Sequence, residues 1–140
     1  MLVLAGGALL PASAADTPDR ITPMALTAIM RDLAQDMQAI AAAIAHEDWP
    51  KAAIVAARIA DHPQPPFSEK LRILAFVGND TPRFRSYDQQ VHQAAQQLAQ
   101  AAQRADGTAT ISAFATLQTA CLGCHQQFRQ PFRKHFHDRH

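Results

Sequence analysis

The 140-residue sequence carries no excess charge of either sign: 13 Lys and Arg stand against 12 Asp and Glu, a formal net charge of +1. That balance excludes the basic field by which proteins hold nucleic acid, and it leaves no acidic tail. No apolar run reaches the roughly 20 residues needed to cross a bilayer. The longest, Met1 to Ala15, is too short and is interrupted by Pro11. With five Gly, one Tyr and few Val or Thr, there is little from which to build strands. No internal repeat or low-complexity tract occurs, and no nucleophile and base stand out together, so neither a hydrolase nor a transferase is expected. What is abundant is Ala, Gln and Leu, a helix-forming composition, in a chain of about one domain. The expected fold class is all-α.

The run from Met1 to Ala15 ends in the small residues Ala12-Ser13-Ala14, the pattern of a secretory h-region and its cleavage site, although no Lys or Arg precedes it. Residues 1–15 therefore read as a signal peptide and 16–140 as the mature domain, exported to the periplasm.

Apolar residues then recur at helical spacing. Leu26, Met30, Leu33, Met37, Ile40 and Ile44 form one stripe of a first helix over about 22–46, with Arg31, Asp32, Gln35, Asp36 and Gln38 off it. Asp48 caps a second helix through Ile54, Val55, Arg58 and Ile59 to about Asp61, where Pro63, Pro65 and Pro66 stop it. Residues 63–80 form a long connection holding a short apolar piece, Leu71 to Val77, to which the pattern assigns no structure. Thr81-Pro82 opens a third helix over 82–105, with Phe84, Tyr87, Val91, Leu98 and Ala102 on its stripe and Asp106-Gly107 at its end. A fourth runs over 109–130 with Ile111, Phe114, Leu117, Cys121, Cys124 and Phe128 on its face, and Pro131 perturbs its end. Four such helices predict an antiparallel up-down-up-down four-helix bundle, a fold that builds cofactor sites between facing helices.

The only two cysteines lie in Cys121-Leu122-Gly123-Cys124-His125, a C-x-x-C-H sequence with the spacing of haem attachment. On a helix, positions 121, 124 and 125 leave one face, so two thiols and an imidazole can meet a single planar macrocycle. The competing readings are a disulfide, a redox dithiol or half a zinc site. A redox pair is expected near a βαβ pattern, and zinc needs further ligands at a spacing that no other cysteine supplies. The expectation is one covalent haem c per chain, with His125 as axial iron ligand.

A C-x-x-C-H near the C-terminus, followed by Phe128-Arg129 on the last helix of a four-helix chain, resembles the class II cytochromes c, the cytochrome c prime family. The resemblance spans the mature chain, but outside the haem motif it rests on helix pattern. It implies haem near one end of the bundle, a periplasmic location and a homodimer through the first two helices. It also implies two kinds of iron. Low-spin members bind a methionine of the first helix opposite the histidine. High-spin members leave that position open and bind NO or CO.

Three methionines compete for that sixth position. In an antiparallel bundle the end of the first helix near His46 lies level with the start of the fourth near Ala109. His125 lies 16 residues beyond Ala109, and 16 residues back from His46 is Met30. Met37 falls level with residue 118, about 10 Å away along the axis at ~1.5 Å per residue. Met24 is off the stripe. Met30 is therefore the candidate ligand, against the ordinary role of a stripe methionine as core filler. The expected function is one-electron transfer to and from periplasmic redox partners, with NO or CO binding as the alternative.

Among the other residues, Arg129 is placed to tune the haem potential or to be solvated, and Phe84, Tyr87 and Phe114 to wall the haem or fill the core. His46 fits the helix dipole at the end of the first helix. His62 and His92 show no partner of obvious spacing. The basic, His-rich tail Arg133 to His140 reads as a frayed solvated end, with metal capture or docking to an acidic redox partner as minor readings.

Overall fold

A computed structural model of the chain describes residues 24–137, so the expected signal peptide lies outside the described residues. Six α-helices are present: α1 (Ala25–Ala45), α2 (Trp49–Ala60), α3 (Phe67–Val77), α4 (Thr81–Gln103), α5 (Gly107–Cys124) and α6 (Gln130–Phe136). A 3₁₀ turn, Gly78–Asp80, leads into α4, and a π-helical turn, His125–Arg129, joins α5 to α6. The expected all-α antiparallel bundle is present: α1, α2, α4 and α5 are its four helices. α2 packs on α1 and on α4, α4 packs on α5, and α1 meets α5 only slightly.

The first and last connections are built alike. After α1 the chain turns through Glu47 at φ 55°, and after α4 through Ala105 at φ 52°. In each turn the following Asp donates its backbone N–H to a carbonyl in the last turn of the helix just ended, Asp48 to Ala43 and Asp106 to Ala101. The same two aspartates cap the next helices: Asp48 accepts from the N–H of Lys51 at 3.1 Å and Asp106 from Ala109 at 2.9 Å. Trp49 lies over the start of α5, so close that a Cβ on Gly107 would meet its ring at 3.1 Å.

The long connection contains α3, which the apolar pattern left unassigned. Its N-terminus follows Pro66, and it ends at Gly78, whose φ of 54° with ψ −121° is backbone that glycine tolerates best. Glu69 in its first turn caps a different helix, its two carboxylate oxygens accepting from the N–H groups of Ala25 and Leu26 at 2.8 Å each. The start of α1 has no side-chain cap of its own, so this carboxylate satisfies two of its orphan donors and sits at the positive end of the helix dipole.

Burial divides the interior. The larger cluster, Ile40, Val55, Ala56, Ile59, Val91, Ala95, Leu98 and Leu117, draws on all four bundle helices. A second cluster at one end joins Met24, Ile73, Val77, Phe128, Phe132 and Phe136. This second cluster corrects the reading of the tail as far as His137, the last described residue. The last helix does not fray after residue 130: Phe132 and Phe136 are buried, and the His135 ring stacks on Phe76 with centroids 4.3 Å apart. Pro131 is the reason the helix changes form without ending. A proline inside a helix clashes with the carbonyl four residues before it, and the wider π turn just upstream relieves that crowding. The helix then continues, and Phe128, Phe132 and Phe136, four residues apart, share one face.

Candidate haem attachment site

Cys121 and Cys124 lie in the last turn of α5, and His125 opens the π turn. Backbone angles at His125 remain helical, φ −62° and ψ −40°, and its N–H reaches back to the carbonyls of Cys121 and Leu122. The three side chains therefore leave one face, as their spacing requires. Both sulfurs are unpaired, half-buried thiols. Cys121 packs on the larger cluster and Cys124 on the aromatic one, so the pair marks the boundary between the two interiors. His125 is exposed and Phe128, three residues on, is buried.

At Gly123, between the two cysteines, α5 comes close to α4. A Cβ there would lie 3.0 Å from Cε1 of Tyr87. Tyr87 and Phe84, both on α4, pack against the aromatic cluster, and Phe84 meets Phe128 edge-on at 5.3 Å. Phe114 packs on the larger cluster instead. The open choice between haem wall and core thus separates by position: Phe84 and Tyr87 stand beside Cys124, and Phe114 belongs to the bundle interior.

Electrostatics at the two cysteines disfavour the thiolate. Burial raises the Cys121 thiol above its usual pKa, and burial with the charges of Asp88 and Cys121 pushes Cys124 up to about 11. A redox dithiol or zinc ligand draws on a lowered thiolate pKa, the opposite of what this site provides. His125 is shifted down, first by partial burial and then by the Arg129 cation, which favours the neutral imidazole that can bind a metal. Two neutral thiols, a neutral imidazole and an aromatic wall fit a haem that two thioether bonds and one imidazole nitrogen would hold. The residues that would hold it are Cys121, Cys124 and His125.

Met30 is 41% exposed and joins none of the buried clusters, although its stripe neighbours Leu26, Leu33 and Met37 pack against them. Core filler is therefore not the role this structure gives it. Met24 was set aside by the pattern but is only 5% exposed, in the aromatic cluster against which Cys124 also packs. Its burial depends on α3 and on the helix beyond Pro131, neither of which the periodicity revealed.

A four-helix bundle whose last helix presents two thiols and an imidazole from one face defines a haem c-binding cytochrome. A family model described as Cytochrome C' matches residues 25–129, from the first residue of α1 to the last of the π turn. The chain belongs to that family, the cytochromes c′, whose members carry covalently bound haem c. Neither a curated protein nor a solved structure matches the chain. No helix among the described residues is long and apolar enough to cross a membrane.

Proposed function

We propose that the protein is a one-electron carrier of the periplasm, its haem iron ligated by His125 and Met30. The observation that carries this reading is the position of Met30. It stands on the apolar stripe of α1, 41% exposed and outside the packed clusters, while of the neighbouring helix pairs around the bundle α1 and α5 touch least. Bound haem supplies an iron that cycles between ferric and ferrous states. The chain's own residues set how readily it does so. A thioether supplied by Met30 would favour the ferrous state, and donors fixed by the fold would keep reorganisation small. Arg129, close enough to shift His125, favours the more electron-rich, less positive state of the centre. Phe84, Tyr87 and Phe128 limit access of water on the Cys124 side. The Met1–Ala15 run supports export, and covalent haem attachment in bacteria takes place outside the cytoplasm.

The test is the absorption spectrum of the holoprotein, ferric and ferrous, with and without CO. A low-spin spectrum indifferent to CO is expected. High-spin haem that binds CO would refute the carrier and make the protein a sensor or buffer of NO or CO.

A further inference from the structure

Where α4 meets the end of α2 a second group of ligands comes together. His62 follows α2, and His92 lies in the middle of α4. Their rings stack with centroids 4.6 Å apart and planes 13° from parallel. Each ring uses Nδ1 on a backbone carbonyl, His62 on Ile59 at 2.9 Å and His92 on Ala60. A carbonyl can only accept, so in both neutral rings Nδ1 carries the proton and the lone pair is at Nε2. Those two lone pairs face one carboxylate. Asp88, one helical turn before His92, places Oδ1 3.8 Å from Nε2 of His62 and Oδ2 3.6 Å from Nε2 of His92.

Neither separation is a hydrogen bond. Three donor atoms, all within 4.8 Å of one another, therefore converge with no proton shared among them. Ligands held tetrahedrally at Zn–N and Zn–O distances of about 2.0–2.2 Å stand roughly 3.3–3.5 Å apart. The two imidazole–carboxylate separations are a few tenths of an ångström longer and the two imidazole nitrogens lie within 4.8 Å of each other, so the stacked rings tilt together about their Nδ1 hydrogen bonds to share one ion. The surroundings favour a cation. The carbonyls of Ile59 and Ala60 belong to the C-terminal end of α2, where the helix dipole is negative, and they already fix the tautomer a metal requires. The His62 side chain is 8% exposed and Asp88 46%, so the group is walled by protein on one side and open to an entering ion on the other.

We propose that His62, Asp88 and His92 form a second metal site, made of none of the residues of the haem attachment motif, that takes one divalent ion of the zinc or copper class through two imidazole nitrogens and a carboxylate. Imidazole donors select this class over Mg²⁺ and Ca²⁺, which prefer all-oxygen shells. The fourth position is left to solvent.

The test is calorimetric titration of the chelator-stripped holoprotein with zinc chloride. Saturable 1:1 binding is expected, with magnesium chloride giving none. Asp88→Asn and His92→Gln should each weaken it at least about tenfold, the size of effect that loss of a supporting or direct donor produces. Asp88 is half-exposed, so the first variant keeps its fold, and unchanged Soret and far-UV spectra verify this for both. Because the chain has seven histidines, the triple variant His135→Gln, His137→Gln, His140→Gln is the control, and it should bind as the parent does. Absence of saturable binding, equal binding of magnesium, survival of zinc binding in Asp88→Asn and His92→Gln, or its loss in the tail variant would each overturn the proposal.

Discussion

Replacing Met30 by Ala in the holocytochrome separates a ligand from a packing residue, provided that Met24→Ala is measured beside it. Met30 is 41% exposed, so about three-fifths of its surface is buried. Full burial of a methionine side chain contributes roughly 1.5–3 kcal/mol, which puts the packing loss in Met30→Ala at about 1–2 kcal/mol. Met24 is 5% exposed and belongs to the buried cluster of Ile73, Phe128 and Phe132, so its truncation leaves a cavity and costs about 2–5 kcal/mol. For a domain of this size one kcal/mol lowers Tm by about 4 °C. Packing alone thus ranks Met24→Ala as the more damaging change. Ligation reverses the order in the spectrum: Met30→Ala is expected to turn low-spin haem into high-spin haem that binds CO, while Met24→Ala keeps the parent spectrum at a lower Tm. Thermal melts followed in the far ultraviolet, with ferric and ferrous spectra taken well below the transition, read both effects on the same samples. A Met30→Ala protein that stays low-spin refutes the assignment, and conversion by Met24→Ala alone transfers it to Met24.

Other consequences follow from the packing. Glu69→Ala removes a carboxylate that accepts two backbone N–H groups of α1 and should cost about 1.5–3 kcal/mol in urea unfolding, with Glu69→Gln intermediate. Ala105 holds φ at 52°, a region that costs a residue with a Cβ about 1 kcal/mol, so Ala105→Gly should raise the urea midpoint rather than lower it. Leu117→Ala, at a fully buried position of α5, should cost about 2–5 kcal/mol, against less than about 0.5 kcal/mol for Ile54→Ala at a site 68% exposed. Gly123→Ala drives a methyl group against the Tyr87 ring and should cost about 1–3 kcal/mol, an effect that Tyr87→Leu in the same chain relieves.

How much of this was legible in the sequence follows from how local each determinant is. The four bundle helices could be read because each carries its own stripe and its own stop: Asp48 and Asp106 cap within three residues of themselves, and the candidate haem-binding residues lie within five consecutive positions. α3 could not, because its determinants are not local. Phe67 and Leu71 are exposed, which spoils any stripe, and the carboxylate of its first turn serves α1 rather than α3. The second metal group was hidden for a related reason. Asp88 and His92 stand four apart on α4, a visible helical pair, but His62 joins them only through the register between α2 and α4.

The end of α5 shows the same distinction at the functional site. Pro131 reads locally as a helix breaker, and that reading made the tail solvent. The chain instead widens one turn, and that turn begins at the residue assigned to the iron. The widening keeps Phe128, Phe132 and Phe136 in register with Ile73 and Val77 of α3. Glu69, from the same helix, caps α1 a little over one turn before Met30. One short helix therefore ties the segment that follows His125 to the start of the helix that carries Met30. The distance between the two axial candidates is held by parts of the fold that contain neither of them.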